Sequence, residues 1–152
     1  MRSDAVAYKL SHGDLAWGSS GWKAAAALTH IRTGHVRLIE VDGISAAMMM
    51  LSWQDETYWG KQGPDAGYLH GLAVRRDFRG LGLGAFALRW ANDHVASHGR
   101  RYLRLDCDAR NTKLCAYYES FGFERVRTRA IHGLGDYVAA LYQTVAQART
   151  PG

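Results

Sequence analysis

Between Gly71 and Gly84 the chain reads GLAVRRDFRGLGLG, an apolar run that gives way to glycines at alternate positions, Gly80, Gly82 and Gly84, and then to a segment patterned as a helix. Such a passage constrains the fold tightly, because a strand must end, a loop must turn sharply and a helix must start within a few residues. Glycine admits backbone conformations closed to other residues and lets a ligand come close, while the first N–H groups of a helix carry roughly half a positive charge. Arg75, Arg76 and Arg79 add cations beside the turn. The passage is suited to a phosphorylated anion.

Patterning places further elements around it. Val36 to Val41 and Ile44 to Trp53 read as strands joined by an Asp42-Gly43 turn. Gln54 to Ala66 is polar, holds Gly60, Gly63 and Pro64, and reads as a loop; Gly67 to Val74 is the third strand. After the glycines, Leu83, Ala87, Trp90, Ala91 and His94 recur at helical spacing, opposite Arg89, Asn92 and Asp93, in a helix ending near Gly99. Tyr102 to Cys107 is a strand reached by that crossover helix and hence parallel to Gly67 to Val74. Asn111 caps a helix that runs through Phe121 and stops at Gly122, and Glu124 to Ile131 and Tyr137 to Val145 are two closing strands. In front, Ala5 to Leu10 reads as a short strand and Trp22 to Arg32 as a helix.

Arg79-x-x-Gly82-x-Gly84 resembles the R/Q-x-x-G-x-G/A pyrophosphate loop of the GCN5-related N-acetyltransferases (GNAT). A second landmark, Asn111 with Leu114, Ala116, Tyr117, Tyr118, Glu119 and then Gly122-Phe123, resembles that family's N-x-x-A-x-x-x-Y-E-x-x-G-F segment with the alanine shifted. The resemblance covers roughly Gly34 to Val145. It implies an α/β fold of the α+β type, with a mixed, mostly antiparallel central sheet, splayed between the strand ending near Val74 and the strand Tyr102 to Cys107, and with flanking helices. The first 34 or so residues match the family poorly, and residues 1–152 are expected to form one domain.

The resemblance also implies acetyl-CoA as co-substrate, direct transfer of its acetyl group to a primary amine, and no metal. Arg79, Gly80, Leu81, Gly82, Leu83 and Gly84 would wrap the pyrophosphate, Asn111 would bond the pantetheine, and backbone N–H groups of Leu72, Ala73 and Val74, freed by a bulge, would polarise the thioester carbonyl. Tyr118 would be the general acid near the sulfur, although Leu114, Tyr118 and Phe121 share a helix face and packing is the alternative role. Asp106 is the first candidate base, five residues before Asn111, where ribosomal-protein alanine N-acetyltransferases of the family carry a glutamate. His70 is the second, since its pKa suits proton transfer near neutrality. His94 reads as a core histidine. Trp17, Trp22, Trp53 and Trp59 are candidates to line an acceptor pocket. Asp55, Glu56, Asp65 and Asp136 are candidates to attract a cationic amine, with scattered surface carboxylates the commoner case.

Two rival readings remain open on the residues alone. Gly82-x-Gly84-x-x-Ala87 fits the dinucleotide fingerprint G-x-G-x-x-A, with Asp106 about 20 residues on, but Arg75 to Leu81 separates the strand from the first fingerprint glycine. A CoA-binding module without catalysis is the other. Composition excludes more than it selects. With 47% hydrophobic and 22% charged residues the 152-residue chain is globular, and its net charge of +5 is spread without a nucleic-acid motif. Apolar runs are too short to span a bilayer, which makes a cytoplasmic location the expectation. Cys107 and Cys115 lack metal or disulfide spacing and read as free buried thiols. The last strand pair is a candidate surface for a homodimer.

Overall fold

The computed structural model describes residues 28–29 and 31–150, so the expected strand at Ala5 to Leu10 and most of the expected first helix lie outside the described residues. In chain order the elements are β1 (Val36–Val41), β2 (Ile44–Ser52), α1 (Glu56–Trp59), β3 (Ala66–Val74), a 3-10 turn (Arg76–Phe78), α2 (Leu83–Ser97), β4 (Tyr102–Asp108), α3 (Thr112–Ser120), β5 (Glu124–Ala130) and β6 (Val138–Val145). Six strands form one sheet in the order β1-β2-β3-β4-β6-β5. Among the described strands only β3 and β4 run parallel, as a helical crossover between them demands. All other neighbours are antiparallel.

The sheet opens in its middle. β3 and β4 pair only from Ala66 opposite Tyr102 to Leu69 opposite Leu105, although β3 continues to Val74 and β4 to Asp108. Beyond Leu69 the β4-facing edge of β3 has no ladder partner in β4, and the strands diverge into a V. A bulge helps turn β3 away: Met48 pairs with Ala73 and Met50 with His70, so Gly71 and Leu72 both stand against Met49. Gly71 takes the left-handed backbone (φ 61) that such a bulge favours and that a side chain would resist.

Each face of the sheet carries its own core, a consequence of the two-residue repeat of the strands. Leu69, Leu103, Leu105, Cys107 and Tyr142 pack beneath α2 and α3, with Ala87, Leu88, Ala91, Val95, Cys115 and Tyr118. On the other face Ala66, Tyr68, Ala139 and Leu141 meet Trp59 of α1 and Ile131 and Tyr137 of the β5–β6 connection. Where α2 crosses β3, contact is so close that a Cβ on Gly67 would lie 2.4 Å from Val95 Cγ2. The buried stripe of α2, Ala87, Leu88, Ala91 and Val95, is rotated from the expected one. Trp90 and His94 fall at its margin, and His94 is half-buried rather than core, stacked on Trp90 with ring centroids 4.5 Å apart.

The polar stretch after β2 holds a short helix that its composition hides. Asp55 caps it, its Oδ1 accepting the Tyr58 N–H at 3.1 Å, and Glu56 follows in the first turn. Four residues are too few for a periodic signal; only the Asp-Glu start marked it. This helix carries Asp55, Tyr58 and Trp59 onto the face where His70 and Asp106 emerge.

Candidate active site

The turn before α2 is open and uncapped. Gly80 (φ 82) and Gly82 (φ 74) adopt left-handed backbone, and a Cβ built at either has no atom within 4 Å, so the turn is open to solvent. Gly82 is the N-cap and offers no side chain, and the first closing bond of the helix runs from the Phe86 N–H to the Gly82 carbonyl. The N–H groups of Leu83, Gly84 and Ala85 therefore have no intrahelical acceptor. Arg76 and Arg79 are exposed beside them, while Arg75 is tied back to the Ser45 carbonyl and the Phe78 ring. These residues fit a diphosphate. Gly84 has a different reason to be glycine: a Cβ there would sit 2.7 Å from the Tyr117 hydroxyl.

Across the V, α3 is capped as expected, with Asn111 Oδ1 accepting the Leu114 N–H at 3.0 Å. Tyr118 is 8% exposed and its ring meets Phe123 and Tyr142. Tyr117, half exposed, lies over the start of α2, where burial raises its phenol pKa and Arg89 works against the rise. Cys107 and Cys115 are free thiols, as expected, with their sulfurs 3.7 Å apart under this helix. Ala73 and Val74 are in register with Met48 and Ala47, so the ladder gap on the β2 side falls at Gly71 and Leu72, and of the expected Leu72 to Val74 only Leu72 lies in it.

His70 and Asp106 come together where β3 and β4 part, one residue beyond the last pair Leu69–Leu105. His70 Nδ1 lies 3.7 Å from Asp106 Oδ1, with side chains 22% and 11% exposed. A third group completes the cluster: Asp55 Oδ2 stands 3.3 Å from His70 Nε2, off the line of an ideal hydrogen bond, and the Asp55 side chain is only 5% exposed. Asp55 is thus no scattered surface carboxylate. Tyr137 donates to Asp106 Oδ2 at 2.8 Å, and its own pKa rises strongly, from burial first and from Asp106 next. Burial opposes charging of His70, but the Asp55 contact and the fields of Asp55 and Asp106 outweigh it, so its pKa lies above 6.5. The three donors fall within 4.8 Å of one another. The ring turns one nitrogen toward each acid.

The other expected residues separate. Asp65 pairs with Arg104, a buried arginine whose N–H also reaches the Tyr68 hydroxyl, and whose guanidinium lies over Trp59. Trp59 is core and Trp53 lines a cavity of about 320 Å³ with Asp55, Glu56, Tyr68 and Arg100. Asp136 is exposed, and Trp17 and Trp22 lie outside the described residues. Side chains alternate across a strand, so His70 and Asp106 emerge on the α1 face and Tyr118 packs on the α3 face.

A mixed sheet opened at its one parallel pair, with an uncapped glycine turn at the mouth, defines an acyl-CoA-type transferase fold rather than a dinucleotide fold. A Rossmann sheet is parallel and brings its first glycine to the strand end, whereas here a 3-10 turn intervenes. Residues 9–123 match the Acetyltransferase (GNAT) family, and the chain belongs to that family. It is 40% identical over 99 residues to the uncharacterized N-acetyltransferase YesJ of Bacillus subtilis (strain 168), a match spanning 62% of this chain and 55% of YesJ. A GNAT family acetyltransferase of Listeria monocytogenes 4b F2365 has the same fold, with a TM-score of 0.75 and 24% identity over 95% of this chain and 84% of that one. A GNAT family acetyltransferase of Elizabethkingia anophelis, solved with acetyl-CoA bound, gives a TM-score of 0.64 at 13% identity, over 81% of this chain and 83% of that one.

Proposed function

We propose that the protein is an acetyl-CoA-dependent N-acetyltransferase that moves the acetyl group directly to a primary amine. The observation that carries this reading is the V between β3 and β4, with the open glycine turn at one end and a histidine–carboxylate pair at its apex. The diphosphate would take the N–H groups of Gly80 to Gly84 and the charge of Arg79. The pantetheine arm would lie along the β4-facing edge of His70 to Val74, with Asn111 at its side. Backbone amides near the bulge, Leu72 to Val74, would receive the thioester oxygen as it gains charge, without any reorganisation at the moment of reaction.

The steps balance without a metal. An ammonium acceptor loses one proton to the His70–Asp106 pair, and its freed lone pair attacks the thioester carbon. As the C–S bond breaks, the Tyr118 hydroxyl gives its proton to the departing thiolate, and the second nitrogen proton returns through the phenolate or water. The pair later releases its proton to solvent. A cytoplasmic setting goes with this reading, supported by two buried cysteines kept as thiols.

The test is acetyl-CoA-dependent thiol release measured over a panel of peptide, polyamine and small-metabolite amines. Turnover of at least one amine is expected, unchanged by a chelator, with kcat lowered about a hundredfold in Tyr118→Phe. Acetyl-CoA binding with no release over the panel would favour a binding module instead, and full turnover by Tyr118→Phe would remove that residue from the chemistry.

A further inference from the structure

We infer that Asp55 is a positioning residue for His70, fixing which ring nitrogen accepts the acceptor's proton; the inference rests on the acetyltransferase reading. The geometry divides the labour. Asp55 faces Nε2, the shorter of the two contacts, at 3.3 Å, and Asp106 faces Nδ1 at 3.7 Å. A neutral imidazole has one N–H, and the field of the buried Asp55 carboxylate, 5% exposed and nearer than Asp106, favours placing it on Nε2. The lone pair is then on Nδ1, turned toward Asp106 on β4.

The gap on that side suits an incoming ammonium. At 3.7 Å the Nδ1 to Asp106 separation is wider than a hydrogen bond. Asp106 is itself steadied by the Tyr137 hydroxyl on its other oxygen. The ammonium would rest against Asp106 while one N–H bond breaks and an Nδ1–H bond forms; the imidazolium is then stabilised by Asp55 on its far side. The charged or titratable groups against His70 are Asp55 at the cap of α1, Tyr58 on α1, and Asp106 on β4 backed by Tyr137. Its β2 neighbour is Met50.

Asp55 also caps α1 through Oδ1, which makes the choice of variant matter. Asparagine caps helices as well as aspartate does, so Asp55→Asn removes the charge and keeps the turn. Two measurements are made on the full chain: a ¹⁵N NMR titration of His70, and the pH profile of kcat/KM for an amine that is turned over. The expected wild type shows a neutral Nε2–H tautomer. In Asp55→Asn the His70 midpoint and the acid limb of the profile both move to lower pH, and plateau kcat falls about tenfold or more. A wild-type Nδ1–H tautomer, an unmoved midpoint, or a moved midpoint with plateau kcat intact would each overturn the inference. If no amine were turned over, the acetyltransferase reading would fail, while the NMR midpoint and tautomer would still judge the Asp55–His70 coupling.

Discussion

A histidine set between two carboxylates is more stable as a cation when folded than when unfolded, and His70 is so placed by Asp55 and Asp106. Its folded pKa is raised above 6.5, so its contribution to stability is fully present below that value and is lost as pH rises through the folded midpoint. The difference in Tm between the wild type and His70→Gln should accordingly be largest in mild acid and shrink toward alkaline pH; a difference constant across that range contradicts the placement. At this scale the sequence was partly legible. His70 and Asp106 stood out by residue type and strand position, and Asn111 by its cap. Asp55 did not, because an aspartate in a polar loop is usually solvated. Its burial depends on a four-residue helix folding back over the sheet. Arg104 was hidden for the converse reason: alternation on β4 puts it inside, where the Asp65 carboxylate, the Gln143 side-chain oxygen, the Tyr68 hydroxyl and the rings of Trp59 and Tyr102 make that tolerable.

Among the elements, the crossing of α2 over β3 has the least room to vary. Gly67 is glycine because Val95 and Trp53 occupy the space of its Cβ, at 2.4 and 3.2 Å. Gly67→Ala should cost about 1–3 kcal/mol, since the helix must shift or the strand must yield. Chemical denaturation would read this, and an unchanged midpoint would show that the contact gives way freely. Strand ends and the starts of α2 and α3 were readable within a residue or two, because turn glycines and caps act locally. The buried face of α2 was not. Trp90 and His94 have helical spacing with the apolar residues, yet the helix is rotated so that Leu88 and Val95 point inward, and the rings stack on its flank with Trp53 and His98. Periodicity finds a stripe; packing at Gly67 chooses its angle.

For the whole molecule, the order hairpin, strand, helix, strand, helix, strand pair was visible in the sequence, and so was the single parallel pair that a crossover helix requires. The V was legible only through the family resemblance, because nothing local announces where two strands stop pairing. Its physical basis is the bulge at Gly71 and Leu72. The last strand pair presents β5 as a sheet edge lined with Arg125, Arg127 and Arg129, charges that discourage edge-to-edge pairing of two copies. No helix among the described residues is long and apolar enough to cross a membrane. In the proposed mode of binding, the glycine turn before α2 would grip a diphosphate so that the thioester enters the V. Calorimetric titration with coenzyme A and, separately, with pantetheine, which lacks the diphosphate, tests it most directly. Coenzyme A should bind at least about a hundredfold more tightly, the worth of two charge-assisted hydrogen bonds. Equal affinity for the two, or no binding of coenzyme A, would contradict the account.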